Sequence, residues 1–460
     1  MSARRCGALA AVVLTLTVAG FGAPPAGAVA PPVVEPGPPP VGPVGPAQPT
    51  ELKAICGIPT GVLPGTDFAK QTSADAMLEY RRAWRFSRGA GQKVAVIDTG
   101  VNPHPRLPAL EAGGDYVSNT DGLVDCDAHG TLVAGIIAAA PSDGDSFVGV
   151  APDATIVSIR QNSGAYSVAG TSSGQNEDPN ATSIGYGNTQ TLALAITRAV
   201  DLGATVINLS EVACAPVAGG LDDRALGRAV RDAFERNVVV VAAAGNFNAQ
   251  GLCKAQNTMA DPNQPLDSGW SSVTTIASPA WFDDYVLTVG AVTTSATPAD
   301  FSLHGPWLSV AAPGERITSL DVDGPGLSNG QLGQDGLAPL NGTSFAAPFV
   351  SGVVALIRSR FPNLSAGQVM ELVERTARTP GTGPNQATGY GVVDPVAALT
   401  HQLPPDARDR QAVAGTPISG PPAPDPGNAR ARQIVFGVTA CALLVMVAAV
   451  AVAAARRRTR

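Results

Sequence analysis

Between residues 91 and 400, short and almost uninterrupted apolar runs at 94–97, 156–159, 206–209, 238–243 and 286–289 alternate with helical patterns, including 192–202 and 221–236. A strand that is apolar on both of its faces must be covered on both, and a helix between successive strands returns the chain so that they lie parallel. The pattern therefore predicts an α/β fold, a three-layer α/β/α sandwich around a parallel central sheet. A chain of 460 residues that is 45% hydrophobic and 15% charged can bury one large core and carry appendages as well.

The two ends carry different signals. Arg4 and Arg5, an apolar run over 8–21 and the small residues Ala26, Gly27 and Ala28 have the three-part form of a secretory signal, cut after Ala28 or, alternatively, after Ala30. Residues 434–455 form an unbroken apolar stretch ahead of Arg456, Arg457, Arg458 and Arg460. This stretch is expected to be a C-terminal transmembrane helix in the lipid bilayer, with 456–460 as a cytoplasmic tail and the folded part on the extracytoplasmic side. A net charge of −7 offers no basic footprint for nucleic acid, which excludes that class of partner.

Of the six cysteines, Cys6 lies in the signal and Cys441 in the span, leaving Cys56, Cys126, Cys214 and Cys253 in the exported part. An even number there favours disulfides, and four cysteines allow three pairings. Their spacing matches no metal-binding pattern, so neither a metal nor a cofactor is expected. The remaining organisation is a Pro-rich N-terminal arm over 29–90, the folded domain over 91–400 and a Pro-rich linker over 401–433. Residues 160–190, rich in Gly, Ser and Asn, read as a long insertion within the domain.

Three motifs carry chemistry. Asp98 closes the apolar run of VAVIDTG, at the carboxyl end of a strand where parallel sheets place their ligand sites. His129 opens HGTLVAG, immediately ahead of an apolar helix that can hold a general base rigidly. Ser344 lies in GTSFAAP at a helix start, where its backbone N–H and the helix dipole can support a developing oxyanion. Asn246, after the run VVVVAAAG, can donate a second hydrogen bond to that oxyanion. Taken singly these are a turn Asp, a lone His, a capping Ser and a turn Asn; taken together they compose a nucleophile, its base, an orienting acid and an oxyanion hole.

With the chain order Asp98, His129, Ser344, residues 91–400 resemble the subtilisin family through VAVIDTG, HGTLVAG, AAGN and GTSFAAP. The resemblance implies Asp98, His129 and Ser344 as the catalytic triad, Asn246 as the oxyanion residue, and Ser210, Val212, Ala243 and Gly245 along the substrate cleft. The signal, the arm, CDAHGTLVAG, VINLSEVAC, HGPW and the C-terminal span make the whole chain similar to the mycosins, membrane-anchored subtilisin-like proteases of type VII secretion systems. That likeness implies a serine endopeptidase acting on proteins secreted by such a system, with membrane components of the secretion complex as further partners. A mainly structural role in that complex, with dispensable catalysis, is the alternative.

Two departures from general subtilisins stand out. Glu211, Val212, Ala213 and Cys214 follow VINLS where many subtilisins are Gly-rich, and bulk at Val212 should narrow the primary pocket toward small side chains. Phe345 stands where Met is usual, with no change expected in the chemistry. In such a fold Cys214 and Cys253 lie beyond strands ending at the same edge and should pair, leaving Cys56 to bridge to Cys126 beside His129. The arm would then wrap the domain and stay attached. Asp121, Asp125 and Asp127 lack a calcium-loop spacing and are expected in surface turns.

Overall fold

The computed structural model describes residues 29–57, 60–171, 178–260, 269–333, 336–381, 383–403 and 429–458. The expected signal over 1–28, positions 172–177 of the insertion, positions 404–428 of the linker and the last two residues of the tail lie outside them.

The centre is a seven-stranded sheet made of β1 (Lys93–Asp98), β2 (Leu110–Asp115), β3 (Thr155–Arg160), β4 (Val206–Leu209), β5 (Val239–Ala243), β6 (Val286–Val292) and β7 (Val310–Pro313). The strands run in the order β7-β6-β5-β4-β1-β3-β2, and every neighbouring pair is parallel. Alternation along β1 sorts its side chains between two cores. Val94 and Val96 pack with residues of α1 (His129–Ala138) and α4 (Thr343–Arg360), whereas Ala95 and Ile97 pack with α2 (Thr189–Asp201) and α3 (Arg224–Glu235). Each large side chain so buried contributes about 1.5–3 kcal/mol, which is why an apolar strand settles between two helical layers. Helix α2 starts where Asn188 and Thr191 form a capping box, satisfying N–H groups the first turn would leave unpaired.

Residues 29–57 and 60–61 of the arm lie along the domain as an extended strap, whereas Ser73–Leu78 and Tyr80–Arg85 are helical and place Leu78, Tyr80 and Ala83 in the core. The carbonyls of Glu35 and Gly37 accept from Arg231, and that of Pro38 from Arg228, both on α3. Further on, Thr50–Leu52 pairs antiparallel with Tyr166–Val168 of the 160–190 insertion, and Thr60–Gly61 pairs with the strand Gly330–Gly333. A disulfide joins Cys56 to Cys126 and a second joins Cys214 to Cys253, with Cα atoms 4.4 Å and 5.0 Å apart.

Residues 412–460 form a separate unit whose described part is the helix Ala429–Arg458. Among the described residues no helix is long and apolar enough to cross a membrane. The side chains described in this helix are those at 439 and 441–456, so the span expected over 434–455 extends outside them.

Candidate active site

Strand β1 delivers Asp98, fully buried, to the carboxyl edge of the sheet, and α1 begins at His129 beside it. Ala128, just before the ring, takes the left-handed conformation at φ 66°, a local cost that sets the direction in which the helix leaves the loop. His129 Nδ1 lies 2.7 Å from Asp98 Oδ1. A carboxylate only accepts, so Nδ1 carries a proton, and when the ring is neutral Nε2 is the acceptor a general base needs. The Thr99 N–H also donates to Asp98 Oδ1 at 2.8 Å, while Asp98 Oδ2 is buried without a donor among the described residues.

Thr99 joins strand to helix. Its Oγ1 accepts from the Gly130 N–H at 2.9 Å and donates to Asp125 Oδ1 at 2.8 Å. Asp125 Oδ2 in turn accepts from the Thr131 N–H and hydroxyl at 2.8 and 2.7 Å. Expected in a surface turn, Asp125 is instead fully buried, because these donors replace its water; burial still pushes its pKa up to about 6. Asp127 is buried too, accepting from the Ser163 hydroxyl and the Gly164 N–H, and of the three acids only Asp121 faces solvent.

Ser344 is the second residue of α4, where backbone N–H groups lack intrahelical partners. Asn246 Oδ1 accepts from the Thr343 N–H at 2.9 Å and the Thr343 hydroxyl at 3.0 Å, which leaves its Nδ2 free to donate. Gly342 borders the space between them. A Cβ there would stand 2.8 Å from Ser344 Oγ and 3.5 Å from Asn246 Nδ2, so the bare Cα keeps that space open beside both groups. Beneath it, Ser351 donates to Asn208, Asn208 to Ser210, and the Ser210 hydroxyl to the Ser344 carbonyl at 2.8 Å. Ser344 Oγ makes no hydrogen bond to His129 among the described residues; the ring instead packs on Phe345 with centroids 5.2 Å apart.

The carboxylate of Glu211, just after β4, was noted in the sequence only as part of a bulky segment. Its Oε1 lies 3.7 Å from His129 Nδ1, on the same ring nitrogen that Asp98 holds. Burial drives the Glu211 pKa up, His129 pulls it back in part, and Asp98 and Asp127 add to the rise. For His129 burial works toward the neutral ring, but Asp98, then Glu211 and Asp125, outweigh it and raise the pKa. Ligand atoms of Asp98, His129 and Glu211 fall within 4.8 Å of one another. The 2.7 Å contact is a shared proton and not a metal bridge, since N and O ligands about 2.1 Å from a tetrahedral ion would stand roughly 3.4 Å apart.

Beyond Glu211, Val212 is buried and its Cγ2 lies 3.3 Å from where a Cβ on Gly245 would stand, with Cys253 Sγ at 3.1 Å from the same point. Ala243 ends β5 and Ser210 follows β4 on this edge.

Residues 89–391 match the model of the subtilase family, peptidase S8. Over 460 aligned residues the chain is 45% identical to mycosin-3 of Mycobacterium tuberculosis, covering 98% of each chain. The chain is a mycosin of the subtilase family. As a mycosin it is a subtilisin-like serine endopeptidase. A solved serine protease MycP1, described as an essential component of the type VII (ESX-1) secretion system, is 46% identical, with a TM-score of 0.76 over 81% of this mycosin and 100% of that chain. A chain of an intact ESX-5 inner membrane complex is 44% identical, with a TM-score of 0.77 over 92% of this mycosin and 100% of that chain.

Proposed function

We propose that this protein is a membrane-anchored, extracytoplasmic endopeptidase of a type VII secretion system that cleaves selected secreted proteins, with Ser344 as nucleophile, His129 as base and Asp98 as orienting acid. The observation that carries this is the 2.7 Å His129–Asp98 contact at one edge of the sheet that also presents Ser344 at a helix start. In the reaction, the ring turns to take the Ser344 proton on Nε2 as Oγ attacks the scissile carbonyl. Asn246 Nδ2 and the Ser344 N–H donate to the oxyanion. His129 then protonates the leaving amine, and water hydrolyses the acyl-enzyme by the same route reversed.

The cleft reads as selective. Val212 packed against Gly245 supports a primary pocket for small side chains, lined with Ser210 and Ala243. The signal-like start, the two disulfides and the apolar 434–455 stretch support an exported domain tethered by one span, and the strap-like pairing of the arm supports its retention after export. Membership of one relative in an inner membrane complex favours a second, scaffolding role beside proteolysis.

The test is to incubate the purified protein and its Ser344→Ala variant with candidate co-secreted proteins and map cuts by mass spectrometry. Cuts after small residues made by the active form alone are expected. Efficient cutting after large aromatic residues would contradict the narrowed pocket, and identical cuts by Ser344→Ala would contradict the triad.

A further inference from the structure

We propose that Glu211 is a positioning residue that holds His129 in its cationic form in the substrate-free cleft, so that the triad rests restrained. The inference builds on the protease reading above. His129 Nδ1 is approached by two carboxylates, Asp98 at 2.7 Å and Glu211 at 3.7 Å. One orienting acid suffices for a serine protease base. Where Glu211 is ionised, a second carboxylate at the same nitrogen stabilises the imidazolium further, and an imidazolium cannot accept the Ser344 proton.

Among the described residues, the groups acting most strongly on His129 are acids. His129 is faced by Asp98 at the end of β1, Glu211 after β4 and Asp125 in the loop ahead of α1, with Phe345 of α4 as its apolar wall. Glu211 is faced by His129, Asp98 and Asp127, and Asp127 itself feels Arg160 of β3. Thus Asp98, Glu211 and Asp125 gather around His129. The Glu211 side chain is 25% exposed, so it borders the cleft, where an occupying substrate reaches it.

The experiment measures the rate at which a fluorophosphonate probe labels Ser344 in the full-length protein in detergent, from pH 5 to 9. Glu211→Gln keeps size and removes charge. The acid limb of its profile should move at least about one pH unit lower, giving roughly tenfold faster labelling on that limb, with the same plateau. Glu211→Asp, which keeps the charge, should move the limb back toward wild type. In the unmodified protein, the His129 Cε1–H resonance, assigned by its absence from His129→Gln, should titrate clearly above the ordinary histidine range, a readout that does not depend on a variant folding. Wild-type and Glu211→Gln limbs that coincide, a change in plateau alone, or an ordinary His129 titration would overturn the proposal while leaving the protease reading intact. No labelling at any pH would remove the protease reading and this inference with it.

Discussion

The carboxyl edge of the sheet and the arm of residues 29–90 meet within three residues of His129, at the Cys56–Cys126 bridge, yet different interactions fix them. At the edge, buried side chains hold one another: Thr99 and Asp125 bind strand to helix, and Asn208, Ser210 and Ser351 pin the start of α4. Along residues 29–57 and 60–61 of the arm, contacts run largely through the backbone, and apolar side chains such as Val33 and Ile55 stay about nine-tenths exposed, whereas further on Leu78, Tyr80 and Ala83 are packed into the core. Backbone pairing places a strap without specifying its side chains, whereas a catalytic group must be held to a fraction of an ångström by packed neighbours. Catalysis and arm attachment should therefore be separable.

The largest separation is expected from Ser344→Ala. It should lower peptide hydrolysis by about 10⁶-fold, the size known for subtilisin, while both disulfides and the attached arm persist in a non-reducing peptide map. Replacing Cys56 and Cys126 together by Ser should do the converse. The bridge closes 70 residues of chain, so its loss should cost about 4 kcal/mol in urea unfolding while Ser344 labelling continues. If labelling disappears from protein that is still folded, the two regions are coupled and the comparison fails. Asn246→Ala acts at the edge alone, with a loss of about 10²–10³-fold in kcat and little change in KM, while the arm and both disulfides stay in place in the same peptide map.

The smallest effect concerns pH. Burial raises the Asp125 pKa from 3.8 to about 6, so the folded state binds this proton more tightly than the unfolded chain. Its contribution to stability is therefore greatest below about pH 4 and declines as pH rises to about 6, by about 3 kcal/mol at most. Asp125→Asn should flatten that part of the stability profile relative to wild type, measured by urea midpoints at each pH. An unchanged slope would mean that the buried network has no proton-linked cost.

Much of this architecture was legible because burial on both faces writes itself as apolar runs. The runs that became β1, β3, β4, β5 and β6 are continuous, and the motif residues at their ends fall at the edge where parallel sheets bind. Strands β2 and β7 were not. Leu110–Asp115 is an edge strand with an irregularity between Ala112 and Gly114 and several solvent-facing residues, and Val310–Pro313 is four residues of mostly Ala and Pro. The site's acids were harder to read for a related reason. An Asp two residues from another Asp looks like a turn, and only the folded positions of Thr99 and Thr131 make Asp125 a buried acceptor. Glu211 did leave one signal, a charged residue directly after the apolar VINLS, but its proximity to His129 depends on two strands becoming neighbours in space.

The account turns on Ser344 being a nucleophile activated by His129. The most direct measurement is covalent labelling of the full-length protein with a fluorophosphonate, with the modified peptide identified by mass spectrometry. A single adduct on Ser344 that is lost in His129→Ala is the expected result; no adduct, or one that survives removal of His129 at the same rate, would contradict it.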